Sequence, residues 1–277
     1  MWVVTVGFAV MRRTLAVSVL FVGAMLLPAC GSNSPKASVS DTAFESTTTA
    51  APKADTAQTV KDWVTAISAF VPEAIQPGVA VSAPGSPAEM YASYLLAQAQ
   101  ANRAGGAGQP PTSTITTQDN GDIKFCYTIQ GKESCYIASN FQLDANGKMV
   151  DANINDAPLS GRIVGPGQPV DMPGGTVQRL YAFETSDGNN LNVLVQFAAG
   201  DTSIKTPYQA SYVGPDSVQI EYDPQNSGVP PGDVLAGAKK TAIYSFPKGK
   251  MPGRVVFQNV CNASYTNCVD VTVPVGP

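Results

Sequence analysis

The sequence predicts an α+β domain over residues 58–164, followed by an all-β sandwich over residues 176–277. Stretches with helical periodicity precede four alternating segments in the first region, and seven short alternating segments fill the second. The linker between them, at residues 165–175, contains three prolines and four glycines, a composition typical of a domain boundary. A chain of 277 residues is long enough for two modest domains.

The first helix is predicted between Val60 and Val71. Apolar residues recur there at helical spacing and form a single stripe. Trp63 belongs to this stripe, so we interpret it as a core residue rather than as a platform for sugar stacking.

The second helix is predicted to begin after Ser86 and to run to about Arg103. Ser86 and Glu89 form a capping box, and Pro87 suits the first helical position. Gly105-Gly106 then ends the helix.

Four strands of an antiparallel meander follow. Gln130-Gly131 forms a two-residue turn that places Cys126 opposite Cys135. Counting outward from the turn, this pair occupies a non-hydrogen-bonded site, where paired side chains are closest. We therefore predict a disulfide between Cys126 and Cys135. The four strands are expected at residues 112–117, 123–129, 134–143 and 148–155.

The last hairpin of the meander carries Asn146-Gly147, the strongest hairpin signal in the chain. Treated as a two-residue turn, this dipeptide pairs Leu143 with Val150. The same register pairs Phe141 with Ala152.

Helices followed by a curved meander that ends in FQLDANGKMVDANI resemble the nuclear-transport-factor-2-like α+β cone. The resemblance covers roughly residues 58–164 and rests on the order of the elements. It implies that the cone can hold a small apolar ligand between the first helix and the sheet.

The second domain contains seven short strands separated by turn signals, a pattern that suits an immunoglobulin-like sandwich. The stretch from Pro230 to Phe257 resembles the immunoglobulin-like domains of bacterial lipoproteins. Cys261 and Cys268 are close in sequence, so we predict that they form a second disulfide in a loop or at a hairpin tip near the end of the sandwich. The seven strands are expected at residues 177–184, 191–197, 208–213, 218–222, 240–246, 255–260 and 268–273.

Residues 1–29 have the layout of a secretory signal peptide. A basic start at Met11-Arg12-Arg13, the expected true start of the chain, precedes an apolar run too short to span a bilayer. Leu27-Pro28-Ala29-Cys30 resembles the lipobox of bacterial lipoproteins. The resemblance implies that Cys30 is acylated, for example with palmitate. It also implies that the protein is anchored on the extracytoplasmic face of the cell membrane.

Residues 30–57 are rich in Ser, Thr and Ala, and are predicted to form a flexible tether. The alternative for the N-terminal region is an ordinary secreted protein with a chance cysteine at this position. In either case, export removes two arginines and makes the formal net charge of −4 more negative. An acidic exported protein is a poor candidate for binding nucleic acid.

Catalytic and metal-binding patterns are weak in this chain. It contains no histidine, which excludes a Ser-His-Asp constellation and the commonest metal ligand. Ser245-Phe246-Pro247-Lys248 matches S-x-x-K, but Pro247 prevents the helix that this motif requires. The acids between Asp144 and Asp156 lack EF-hand spacing and are interpreted as hairpin-turn residues. We therefore expect no catalytic residue, no metal site and no cofactor.

The sequence thus predicts a non-catalytic binding or interaction protein attached to the membrane through Cys30. Its partner would be a protein or another component of the cell envelope. Two alternatives remain open. One is a carrier that holds a small apolar ligand in the α+β cone, and the other is an enzyme that uses carboxylates without histidine.

Overall fold

The computed structural model describes residues 56–106, 111–129, 131–262 and 264–276. The predicted signal peptide, the acylation site Cys30 and the tether up to residue 55 lie outside the described residues. All described residues belong to one compact unit, so the predicted boundary at 165–175 stays a prediction.

Three helices open the described chain: α1 (Thr56–Ile67), α2 (Pro72–Ala80) and α3 (Pro87–Ala104). The single helix predicted between Val60 and Val71 is wrong, because α1 ends at Ile67 and α2 begins at Pro72. Val71 has extended backbone angles (φ −112°, ψ 136°). The ring of a following proline disfavours helical angles at the preceding residue, which separates the two helices.

The predicted start and end of α3 are confirmed. The Ser86 side chain accepts a hydrogen bond from the Glu89 backbone N–H at 3.1 Å, and Pro87 is the first helical residue. The helix ends at Ala104, directly before Gly105. These local signals depend on neighbouring residues alone, so the sequence predicts them well.

The first sheet is antiparallel, with strands in the order β1-β2-β3-β4-β5. The two-residue turn between β2 and β3 has the predicted register, and Cys126 pairs directly with Cys135. The predicted disulfide between them is present, with Cα atoms 4.1 Å apart. The strands are β1 (Ser113–Thr117), β2 (Ile123–Ile129), β3 (Lys132–Leu143), β4 (Met149–Ile154) and β5 (Ala157–Pro158).

The predicted register of the β3–β4 hairpin is wrong. Leu143 pairs with Met149 rather than with Val150. The Asp144 carboxylate accepts hydrogen bonds from the backbone N–H groups of two loop residues, and Gly147 adopts a left-handed φ of 76°. The loop is therefore longer than two residues, with the glycine in the position of a bulge.

A second irregularity removes the predicted pairing of Phe141 with Ala152. The ladder shifts between Ser139 and Gln142, and Asn140 has a left-handed φ of 49°. A bulge at this point bends the strand and changes which residues face each other.

Two further sheets contain the remaining strands. One has the order β12-β9-β8-β6 with β7 also paired to β8, and the other has the order β11-β10-β13-β14. All seven strands predicted beyond residue 176 are present in some form, whereas β5, β6 and β7 were not predicted. The strands are β6 (Ile163–Val164), β7 (Val170–Met172), β8 (Gly175–Glu184), β9 (Asn190–Ala199), β10 (Ala210–Val213), β11 (Gln219–Glu221), β12 (Lys239–Pro247), β13 (Gly253–Cys261) and β14 (Cys268–Val275).

The sheet of β12, β9, β8 and β6 is buried on both faces. One face shares a hydrophobic core with the β11-β10-β13-β14 sheet, and this core includes Phe197, Tyr244 and Phe257. The other face supplies Leu194 and Ile243 to a second core, formed with the helices and the first sheet. The helix α3 packs on this face and contacts β6, β8, β9 and β12.

The fold is thus mostly antiparallel β-sheet with three helices. The predominance of antiparallel strands is as the sequence predicts, whereas the sequence pattern predicts two helices rather than three. Trp63 is fully buried, which confirms its interpretation as a core residue. Among the described helices, none combines the length and the apolar character needed to cross a bilayer.

Candidate functional site

A cavity of about 1120 Å³ lies between the helices and the first sheet. The turn at residues 67–72 and one face of α3 form one wall, and β2 and β3 form the opposite wall. Residues 183–192, from the end of β8 to the start of β9, border a third side. This volume lies slightly above the range typical of small-molecule sites, about 300–1,000 Å³.

Aromatic rings from distant parts of the chain meet at the α3 side of the cavity. The ring centroids of Tyr91 and Tyr94 are 6.3 Å apart, with their planes inclined by only 16°. Phe183, from β8, lies 5.0 Å from Tyr91 and 5.5 Å from Tyr94. All three residues are buried and line the cavity.

A second set of rings covers the sheet side. The ring of Tyr136 stacks on Phe125 at 5.5 Å and on Tyr127 at 5.7 Å. Phe70 makes an edge-to-face contact with Tyr127 at 4.9 Å. The cavity therefore has aromatic surfaces on two opposing walls, where large apolar groups of a ligand are held well.

The hydroxyls of three cavity tyrosines, Tyr91, Tyr94 and Tyr127, remain protonated at neutral pH. Burial raises the pKa of Tyr94 to about 12, although a hydrogen bond to the Asn192 side chain opposes this shift. Burial also raises the pKa of Tyr91 and of Tyr127. The Tyr127 hydroxyl donates to the Tyr136 hydroxyl at 3.1 Å. These groups can act as neutral hydrogen-bonding partners.

The two charged residues that line the cavity already have partners. Arg103 makes a bidentate ion pair with Glu73, with N–O distances of 2.6 and 2.7 Å. The Asp187 carboxylate accepts hydrogen bonds from the Thr185 hydroxyl at 2.6 Å and from both nitrogens of Asn189. These hydrogen bonds lower the pKa of Asp187, so its carboxylate stays ionised.

The side formed by β4 and the β8–β9 turn is polar. The Asn155 side chain donates to the Ser186 hydroxyl at 3.4 Å and accepts from the Ile137 N–H at 2.9 Å. The Asn190 side-chain oxygen accepts from the Ser245 hydroxyl at 3.5 Å. The cavity thus combines two aromatic walls with one polar wall of amides, hydroxyls and the ionised Asp187.

A smaller groove of about 330 Å³ lies beside the tip of the β13–β14 hairpin. Tyr208 and Tyr265 border it, with 50% and 67% of their surfaces exposed. Lys205 pairs with Asp233 at 2.9 Å and lies 5.1 Å from the Tyr265 ring centroid. Because this groove is shallow and its charges are paired with each other, the aromatic cavity is the better candidate site.

Both predicted disulfides are present, at different places. Cys135 lines the cavity, so the disulfide with Cys126 stiffens its sheet wall. Cys261 and Cys268 face each other at the tip of the β13–β14 hairpin, as predicted. Glu133 lies close to the first disulfide, but two oxidised sulfur atoms offer no thiolate to a metal ion.

The motifs considered in the sequence serve structural roles. Ser245, the first residue of the S-x-x-K match, is buried in β12 rather than on a helix. Asp144 holds the β3–β4 loop through backbone N–H groups. Asp151 is buried and accepts from the N–H groups of Ala152 and Ser160.

The sequence prediction placed a possible pocket between the first helix and the sheet. In the structure, α3 and residues 183–192 also line the cavity. The sequence pattern assigns residues 183–192 to the second domain. One pattern in the sequence indicates that β9 packs against other elements on both of its faces. Val193, Leu194 and Val195 are consecutive and all buried, which indicates a strand covered on both faces.

No protein-family model and no curated protein matches this chain. Among solved structures, the yjhA protein from Bacillus subtilis is similar over 39% of this chain and 96% of its own length. The identity is 12% and the TM-score is 0.32. A likeness at this level supports no conclusion about this chain.

Proposed function

We propose that this protein is a lipid-anchored, extracytoplasmic binding protein that holds a small, largely apolar ligand in the aromatic cavity. The observation that supports this function is the cavity of about 1120 Å³ with stacked aromatic rings on two walls. An unfilled space of this size forgoes the packing that a solid core would provide. A ligand that occupies it regains those contacts.

The residues around the cavity favour binding over catalysis. A carboxylate enzyme without histidine requires an acid whose pKa is raised within a cleft. Asp187 is the acid that lines this cavity, and its pKa is lowered by three hydrogen-bond donors. It is therefore a poor general acid at neutral pH.

We also propose finer assignments for the fold. Helices packed over an antiparallel sheet, with a cavity between them, support a nuclear-transport-factor-2-like cone for the first part of the chain. Two antiparallel sheets that share one core support an immunoglobulin-like sandwich for the second part. In this arrangement the β8–β9 strand pair belongs to the sandwich and closes one side of the cone.

Ligand binding can be tested with the neutral fluorescent probe N-phenyl-1-naphthylamine, whose emission rises in an apolar environment. Ala99 lines the cavity and is buried, so Ala99→Phe should reduce probe affinity by about tenfold by filling the space. Ala104, exposed at the end of the same helix, provides the matched control Ala104→Phe. A folded Ala99→Phe variant that binds the probe like the wild type would rule out the cavity as the site.

Anchoring is tested separately at Cys30. The lipobox-like sequence Leu27-Pro28-Ala29-Cys30 predicts that Cys30→Ser moves the protein from the membrane fraction to the soluble exported fraction. If the variant stays with the membrane after a carbonate wash, the lipid anchor is wrong.

A further inference from the structure

We infer that the cavity selects neutral amphiphiles, which have an apolar body and a hydroxyl- or amide-bearing head, over anionic amphiphiles with the same body. This inference rests on the proposed function and specifies its ligand class. In the bound state, the apolar body lies between the aromatic walls and the head faces residues 185–192.

The walls provide apolar surfaces for the ligand body, alongside polar side chains such as Gln98 and Asn102 of α3 and Ser134 of β3. On the α3 side, Leu95, Ala99 and the faces of Tyr91 and Tyr94 line the space. On the sheet side, the rings of Phe125, Tyr127 and Tyr136 stack along β2 and β3. Burial of a chain or a flat ring system between these surfaces supplies most of the binding free energy, because that term scales with apolar area.

The head is recognised by groups that still have hydrogen-bonding capacity. The Ser186 hydroxyl accepts from Asn155, and no residue in the described part of the chain accepts its proton. Asn192 hydrogen-bonds to Tyr94, which leaves the rest of its amide for a ligand. The Asn190 oxygen is bonded to Ser245, whereas its NH₂ group donates to no other described residue. Neutral donors and acceptors of this kind suit a hydroxyl or an amide.

The charges near the head disfavour an anion. Asp187 stays ionised on the same side of the cavity, and a carboxylate bound beside it would be repelled. Arg103 lines the cavity but is paired with Glu73.

A second cation, Arg162, lies over the ring of Phe183, with its guanidinium carbon 5.3 Å from the ring centroid. The three nitrogen atoms of Arg162 are buried, and Arg162 is not among the residues that line the cavity. Among the described residues, no unpaired cation therefore lies along the lining of the cavity.

The experiment compares two amphiphiles with the same acyl chain, 1-monolauroylglycerol and laurate. Each displaces N-phenyl-1-naphthylamine from the wild-type protein at neutral pH, below its micelle concentration. We expect the glycerol ester to displace the probe at a concentration about tenfold lower than laurate, a ratio that one or two hydrogen bonds can supply.

Two variants separate charge from hydrogen bonding. Asp187→Asn removes the fixed charge and should improve laurate binding about threefold or more while leaving the glycerol ester unchanged. Asn192→Leu should weaken the glycerol ester by about threefold to tenfold without weakening the probe. Asp119→Asn, at an exposed acid outside the cavity lining, is the charge-matched control.

Equal displacement by both amphiphiles would overturn the inference while leaving the proposed function intact, because the probe would still be bound in the cavity. The inference is also overturned if Asp187→Asn and Asp119→Asn change laurate binding equally. Failure of the wild-type protein to bind the probe or either amphiphile would remove the proposed function itself.

Discussion

Two arginines, the buried Arg179 and the half-buried Arg162, should respond differently to the same substitution. Arg179, which is 6% exposed, donates to three backbone oxygens and, among the described residues, to no carboxylate. The acceptors are Gly165 at 3.0 Å, Pro274 at 3.1 Å and Gly276 at 2.7 Å. Arg179 therefore ties the segment after β6 and the end of β14 to the middle of β8.

Arg162 has no such partners in the part of the chain that the structure describes. There, its three side-chain nitrogens are buried without a hydrogen bond, and its guanidinium packs over the Phe183 ring. Burial lowers the pKa of Arg162 and of Arg179, which reflects the cost of removing each charge from water. Only Arg179 offsets this cost with hydrogen bonds.

The expected magnitudes follow from these contacts. Hydrogen bonds to charged groups contribute about 1.5–3 kcal/mol each, and the desolvation of the guanidinium opposes them. Arg179→Met should therefore lower the free energy of unfolding by about 3 kcal/mol, since it leaves buried carbonyls without donors. Arg162→Met keeps the packing on Phe183 and removes an unpaired charge. It should change stability by less than about 1 kcal/mol, or increase it.

Urea unfolding of the exported chain, followed by far-ultraviolet circular dichroism and by the fluorescence of Trp63, measures both values. Trp63 is fully buried, so its emission reports loss of the second core directly. Coincident transitions and equal m-values allow the midpoints to be compared. If Arg162→Met lost as much stability as Arg179→Met, the reasoning would be refuted. Burial, and not the presence of hydrogen-bond partners, would then decide whether an arginine stabilises the fold.

Two further predictions concern the disulfides and the pH dependence of binding. Replacing Cys126 and Cys135 together by serine should lower the free energy of unfolding by only about 2–3 kcal/mol, because the loop that the disulfide closes is short. Calorimetry should show a lower melting temperature with the fold retained. A variant that fails to fold would contradict this. Probe affinity should be constant between about pH 5 and pH 9. Burial raises the pKa values of the cavity tyrosines Tyr91, Tyr94 and Tyr127 above this range. Hydrogen bonds lower the pKa of Asp187, so its carboxylate does not titrate within the range either. A change above about threefold across this range would indicate a titrating group at the site.

Local features of the fold could be predicted from the sequence because they depend on few neighbouring residues. Ser86 and Glu89 place the start of α3 through one short hydrogen-bonding motif. The turn at Gln130-Gly131 sets the register of β2 and β3, and this register in turn places the first pair of cysteines in contact.

The errors arose where two local signals competed. Pro72 ends the apolar stripe of the first helix by its effect on the preceding residue, although the periodicity continues to Val71. At the β3–β4 hairpin, Asn146-Gly147 favours a two-residue turn, but the Asp144 side chain stabilises a longer loop. The outcome of such competition depends on the relative strengths of a few hydrogen bonds, and the residue pattern does not reveal those strengths.

The sequence by itself therefore determined the strands beyond residue 176, the capped helix α3 and both cysteine pairs. The tertiary structure alone decided the cavity, because its walls come from residues as far apart as Ile67 and Asn192. Hydrophobic periodicity tells which face of an element is buried, and not what covers that face. An unfilled space depends on how α3, the first sheet and the doubly buried β8–β9 pair pack together, and that packing is a property of distant contacts.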